Sequence, residues 1–271
     1  MAIIADHHVH TTRCRHATGS MEAYVQSAIE RGLRAIGFAD HNPLPRGLGA
    51  NVRMEEAELD DYVKCVLDLR RQYEGRIEVL LGLEMDYVEG LEKYLAAQVA
   101  GQPWDYIIGS IHYLDAECMQ ISWPRNFTGE TAWLYARYFE LVRKMVRSGL
   151  CDVVAHFDVP KRSGRAHTEH QTGDITRTLK EIVRAGLCLE INTSGYRHPE
   201  LPRPDTYPTR AIIAEAVALG IPLAVNSDAH TPEDVALKFP EMEHLLAKHK
   251  DARLVTFRNR RQVPVHPPNQ G

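Results

Sequence analysis

The sequence predicts a parallel α/β fold in which seven strands alternate with helices and close into a barrel. Two observations lead there. The first is a unit repeated four times: ERGLRAIGFADH (30–41), RSGLCDVVAHFD (147–158), RAGLCLEINTSG (184–195) and ALGIPLAVNSDAH (218–230). In each, a helix-like stretch stops at a glycine (Gly32, Gly149, Gly186 or Gly220), and a Leu or Ile, a short apolar run and then polar residues follow. This is the signature of a helix ended by a left-handed glycine, a tight loop and a buried parallel strand. The second is helical spacing between the apolar runs. An open doubly wound sheet is the alternative closure.

Taken in order, a first strand is expected at Ala2–Ala5 and a helical turn at 20–31. The second strand follows Gly32. Residues 55–73 carry Leu59, Val63, Val66 and Leu67 at helical spacing, and Ile77–Glu84 and Asp105–Ile111 give strands three and four around a helix at 89–99. Residues 130–148 repeat the helical spacing with Phe139, Val142, Met145 and Val146, and helices at 173–185 and 208–219 precede the last two strands. Thr231-Pro232-Glu233-Asp234 reads as a helix start, with a cap, a proline and acidic residues in the first turn. The proline-rich pieces at 199–208 and 264–268 read as a surface loop and a tail, and no linker splits the chain, so 1–271 is expected to form one domain.

Composition narrows the function. With 44% hydrophobic and 25% charged residues and a net charge of -4, the chain looks like an ordinary soluble protein. No basic run points to nucleic acid, so none is expected as a partner. No stretch of about 18 apolar residues suggests a membrane span. The N-terminal MAIIADHHVH turns polar too soon for a signal peptide, and five scattered cysteines without a CxxC pair suit a reducing, cytoplasmic setting.

Catalytic groups of a β/α barrel sit where strands end. Past the first strand lie His8, His10 and His16; past the second, Asp40 and His41. The third ends in Glu84, the fourth in His112, the fifth in His156, the sixth in Asn192, Thr193 and Ser194, and the seventh in Asp228 and His230. Seven of the fourteen histidines thus fall just beyond a strand. In His8-x-His10 and Asp228-x-His230 the side chains share one side, because direction repeats every two residues. Imidazole with carboxylate suits zinc, manganese or iron, and no cysteine stands among these ligands. So many donors exceed the needs of one ion and imply two or three, with Glu84 able to bridge. Close ions suit phosphoryl transfer, in which a metal-bound hydroxide attacks the phosphorus. No GxSxG, Walker A or Rossmann glycine pattern offers another route.

The ordered set HxH (8–10), CRHA (14–17), FADH (38–41), GLE (82–84), GSIHY (109–113), HFD (156–158), NTSG (192–195) and NSDAH (226–230) resembles the PHP (polymerase and histidinol phosphatase) family, in particular its monofunctional histidinol-phosphate phosphatases. The resemblance spans roughly residues 5–245. It implies a distorted, TIM-like (β/α)7 barrel with three divalent ions, and hydrolysis of the small phosphate ester L-histidinol phosphate in histidine biosynthesis. It assigns His8, His10, Glu84 and Asp228 to a first metal, Glu84, His112 and His156 to a second, and His16, His41 and His230 to a third. Glu84, Asp228 and His230 become the catalytic residues. Arg53, Lys161 and Arg197, all in βα loops, would bind the phosphate. His7 should face away from His8, and Asp40 and Asp158 should orient ligands or substrate. Asn192 and Ser194 either contact substrate or pack the barrel mouth. A phosphodiesterase on nucleic acid, a non-catalytic metal module and an amidohydrolase are the rival readings.

Overall fold

The computed structural model describes residues 2–115, 129–165, 167, 171–199, 201 and 204–265. Seven parallel strands pair in sequence order: β1 (Ala5–Val9), β2 (Ala35–Phe38), β3 (Glu78–Asp86), β4 (Tyr106–Ser110), β5 (Val153–Val154), β6 (Cys188–Asn192) and β7 (Leu223–Asn226). Between them run α1 (Met21–Glu30), α2 (Leu59–Gln72), α3 (Glu92–Gly101), α4 (Thr131–Ser148), α5 (Thr172–Ala185) and α6 (Arg210–Ala218); α7 (Phe239–Leu246) follows β7. The expected alternation is present. Gly149 and Gly186 end α4 and α5 at φ 70° and 67°, the left-handed conformation that glycine adopts without a Cβ penalty.

The barrel closes only at its upper rim. His10 N donates to Ala229 O at 2.9 Å and Ala229 N to His8 O at 3.1 Å, joining β1 to the end of β7. Lower down, side chains bridge the seam. The buried Asp6 carboxylate accepts from the backbone N–H groups of Ser227 (3.0 Å) and Ala236 (2.9 Å), and Asn226 Oδ1 accepts from His7 N at 2.9 Å.

Strand residues alternate between two cores. Leu81, Leu83 and Met85 of β3 and Leu189 and Ile191 of β6 face the helices. Leu80, Cys188, Tyr106 and Ile108 pack inside the barrel. Tyr106 crosses the interior and donates to His7 O at 2.6 Å. Gly82 leaves it room, since a Cβ there would lie 2.3 Å from Tyr106 Cζ. Such overpacking costs about 1–3 kcal/mol.

Five expectations are corrected. β1 is not the apolar Ala2–Ala5 but Ala5–Val9, ADHHV, because its polar side chains are buried with hydrogen-bond partners and an apolar run is not required. Its pairing with β2 shifts register between Asp6 and Val9, so His7 also enters the barrel. There it meets Tyr106 and Phe257 edge-on and contacts Thr256 Oγ1 at 2.8 Å, beneath the site. The helix start at Thr231 yields one short turn at Pro232–Asp234, and α7 begins only after Lys238 at φ 60°. The 199–208 piece is no simple surface loop: Tyr207 is buried and exchanges backbone hydrogen bonds with Asn192 at 2.7 and 2.9 Å. The expected tail starts inside a hairpin, β8 (Val255–Arg258) and β9 (Arg261–Pro264), turned by Asn259 and Arg260 at φ 49° and 63°. Val255 and Phe257 of β8 fill the barrel from below. Residues 266–268 lie outside the described residues. Among the described residues no helix is long and apolar enough to cross a membrane.

Candidate metal centre

The ends of the strands bring all the expected ligands to the upper mouth of the barrel. Glu84, on the inward face of β3, stands at the centre. Its Oε2 lies 2.8 Å from His41 Nδ1, 3.4 Å from His8 Nε2 and 3.5 Å from His10 Nε2. Its Oε1 lies 3.0 Å from His156 Nε2 and 3.9 Å from His112 Nε2. Asp228 Oδ1 is 3.2 Å from His10 Nε2 and 3.8 Å from His8 Nε2. Potential ligand atoms lie within 4.8 Å of one another in the groups His8–His10–Glu84, Glu84–His112–His156 and His16–His41–His230. A cysteine also enters, against expectation: Cys14 joins His10 and His230 within the same limit.

Hydrogen bonds fix how several rings face the centre. His16 Nδ1 lies 2.6 Å from Cys14 O, and His230 Nδ1 lies 2.9 Å from Asp228 O. A carbonyl only accepts, so both rings carry a proton on Nδ1 and turn Nε2 inward. Those two Nε2 atoms are 2.9 Å apart. Two nitrogens this close need a proton or a metal ion between or beside them. Similarly, His8 Nε2, His10 Nε2, His41 Nδ1 and Glu84 Oε2 are buried without a hydrogen-bond partner. Unpaired buried polar atoms are costly, and divalent ions seated among these groups would satisfy them. The donor set therefore fits divalent metal.

The electrostatics agree. Burial opposes the charge of Glu84, yet His41 and His8 hold its carboxyl well below the usual range. Burial likewise opposes ionisation of Asp228, which His8 and His10 hold well below it. Burial disfavours a charged His8 and His10, but Glu190, Asp228 and Glu84 raise the first and Asp228 and Asp40 the second well above the ordinary imidazole value. His230 moves the other way, pushed well down by burial and by His10. The His8 and His10 rings therefore hold a proton more tightly than an ordinary imidazole. Metal and protons would compete for these nitrogens.

Two ligand candidates stand on strained backbone. His156 has φ 21° and Asp228 φ 54°. Such positions cost about 1–3 kcal/mol each and cluster at functional sites.

Supporting carboxylates hold the rings. Asp40 accepts from His10 Nδ1 at 3.3 Å and from Thr11 N at 3.1 Å. Asp158 instead contacts Lys161 and accepts from Thr209 N, touching no ligand candidate. Two carboxylates unnoticed in the sequence do more. Asp86 binds His112 Nδ1 and Arg53, and Glu190 binds His8 Nδ1 at 2.7 Å. Both sit two residues from a recognised position, Asp86 after Glu84 and Glu190 before Asn192. The strand period alone aims them at the site.

A cavity of about 490 Å³ opens above the cluster, bounded by His16, His41, Glu84, His112, His156, Asp228 and His230 below and by Arg53, Tyr113, Arg162, Ser194, Arg197 and Tyr207 around it. The three expected phosphate cations differ in placement. Arg197 lines the cavity, with its guanidinium tied to Asp234 and to the carbonyls of Asp228 and Ser227. Arg53 lines it too, but is buried and donates to Asp86 at 2.6 Å, Tyr113 Oη at 2.7 Å and Asn42 O at 2.9 Å. Lys161 is a correction. Its Nζ is buried against Asp158 at 3.1 Å and Thr206 O at 2.5 Å, and the cavity wall carries Arg162 instead. In the tight turn Val159–Ser163, neighbouring residues point about a third of a turn apart, so only one of the pair faces the mouth. Arg162 has no ion pair among the described residues.

A family model described as "PHP domain" matches residues 6–194. A probable histidinol-phosphatase of Deinococcus radiodurans is 35% identical over 270 residues, covering 97% of this chain and 100% of the relative. The histidinol-phosphatase of Bacillus subtilis is 27% identical over 259 residues, 86% of this chain and 96% of that one. Among solved structures, histidinol phosphate phosphatase from Lactococcus lactis, complexed with zinc, L-histidinol and phosphate, aligns over 97% of this chain and 100% of its own with a TM-score of 0.83 at 17% identity. At that identity the likeness concerns the fold, a PHP-type barrel.

Proposed function

The chain belongs to the PHP domain family, and from that premise we propose that it is a metal-dependent phosphoric monoester hydrolase converting L-histidinol phosphate to L-histidinol and phosphate. The observation that carries this reading is Glu84 ringed by five histidines on the floor of a cavity sized for a small molecule. The relatives' names supply the substrate, and the Lactococcus enzyme holds L-histidinol and phosphate together with zinc.

His8, His10, Glu84 and Asp228 would hold one ion, Glu84, His112 and His156 a second, and His16, His41 and His230 a third, with zinc, manganese or iron all compatible. Such ions supply Lewis-acid charge to phosphoryl oxygens and lower the pKa of water. The protein supplies the rest. Glu84 offers both oxygens to different histidine groups and so sets their spacing. Asp228 presents an ionised carboxylate to the cavity, a group able to take the proton of attacking water, while His230, its Nδ1–H held by Asp228 O, would give Nε2 to the third ion. Arg162, free of an ion pair among the described residues, provides the cation for the phosphate dianion, and Arg197 reinforces the same wall. Arg53 acts through Asp86, which fixes the His112 ring. Lys161 ties the Asp158 loop to the segment carrying Tyr207.

Metal-loaded protein should release phosphate from L-histidinol phosphate with a kcat/KM roughly 100-fold above that for glycerol phosphate or p-nitrophenyl phosphate, a margin within reach of a site that binds the substrate's polar groups. Equal rates across such a panel would contradict the substrate, and no phosphate release from any of them would contradict the reaction.

A further inference from the structure

Glu190 enters the barrel from β6 directly beneath the ligand cluster and is fully buried. Its two oxygens accept four hydrogen bonds. Oε1 receives His8 Nδ1 at 2.7 Å and Asn226 Nδ2 at 2.9 Å; Oε2 receives the His156 backbone N–H at 2.8 Å and Asn192 Nδ2 at 3.0 Å. That uses the acceptor capacity of a carboxylate in full. Among the described residues no lysine or arginine pairs with it, and His8 is its one charged partner.

Each bond reaches a different part of the centre. The His8 contact fixes the proton on Nδ1 and leaves Nε2 facing Glu84 and Asp228. The His156 contact clamps a backbone held at φ 21°, which aims that ring at Glu84 Oε1. The Asn192 amide continues to Asp228 Oδ2 at 3.2 Å. Three ligand candidates belonging to two different metal positions therefore depend on one buried charge.

We propose that Glu190 is a positioning residue that couples these two metal positions, so that they fill and empty together while the His16–His41–His230 position does not respond. The inference rests on the metal reading of the site. Glu190→Gln is a sharp probe, because an amide must turn its NH2 group toward two of the four donors whichever way it is oriented. Glu190→Asp keeps the charge and tests rescue.

Metal-stripped wild type and both variants, with folding checked by circular dichroism, are dialysed against graded manganese or cobalt. Bound ions are counted by elemental analysis, and cobalt absorbance reports coordination. In Glu190→Gln two ions should weaken together by about 10- to 100-fold, the range for losing a group that supports a ligand. One ion should bind as before, and Glu190→Asp should recover part of the loss. Unchanged binding in Glu190→Gln, or weakening of a single ion, overturns the coupling. A wild type that takes up no ion overturns the metal reading itself, and this inference with it.

Discussion

Glu84→Gln is expected to lower phosphate release from L-histidinol phosphate by about a thousandfold or more, the rate equivalent of roughly 4 kcal/mol of lost transition-state stabilisation. The reason is geometric. Both oxygens of Glu84 are in use, Oε2 toward His8, His10 and His41 and Oε1 toward His112 and His156. An amide has one acceptor oxygen, and its NH2 would point donors at nitrogens or at metal. The central negative charge would vanish from among imidazoles that now hold its pKa down. Metal content should fall in parallel, and elemental analysis beside steady-state kinetics checks both. A variant retaining more than about a tenth of wild-type kcat/KM would show that Glu84 does not organise the site.

Asp228→Asn should cost about a hundredfold or more in kcat, again with loss of metal. The substitution is unusually clean. Asp228 sits at φ 54°, and asparagine is among the few residues that accept this region readily. Its backbone carbonyl, which takes His230 Nδ1 at 2.9 Å and Arg197 at 2.5 Å, is unaffected. The fold should therefore survive, with the thermal transition of the metal-free variant only modestly below that of the metal-free wild type, since the Asp228 charge beside His8 and His10 is lost. Lost activity with no more than a modest fall in the metal-free transition assigns Asp228 to chemistry or metal binding. A large drop in that transition would instead make its role structural.

The barrel and the ligand cluster were legible in the sequence for one physical reason. A parallel strand buried on both faces reads as an apolar run, and the first polar residues beyond it mark the mouth. That logic found His41, Glu84, His112, His156, Asp228 and His230 and the glycines that precede four of the strands. It misjudged β1, where Asp6, His7 and His8 lie inside a strand because each has a buried hydrogen-bond partner. It passed over Glu190 and Asp86, since a polar residue within a strand looks like an interruption until its partners are visible. The β8–β9 hairpin was hidden because Asn259-Arg260 lacks the glycine that announces such turns. Lys161 and Arg162 could not be told apart by position alone, since the direction of each side chain depends on a turn whose shape the sequence does not declare.

The central claim is that these histidines and carboxylates hold several ions that the reaction requires. Elemental analysis of the purified protein, made alongside phosphate release from L-histidinol phosphate during stepwise chelation and readdition of manganese or zinc, tests it most directly. One ion for each of the three proposed ligand groups is expected, with activity vanishing as the ions leave and returning as they are restored. Full activity in protein carrying fewer than about one ion per chain would contradict it.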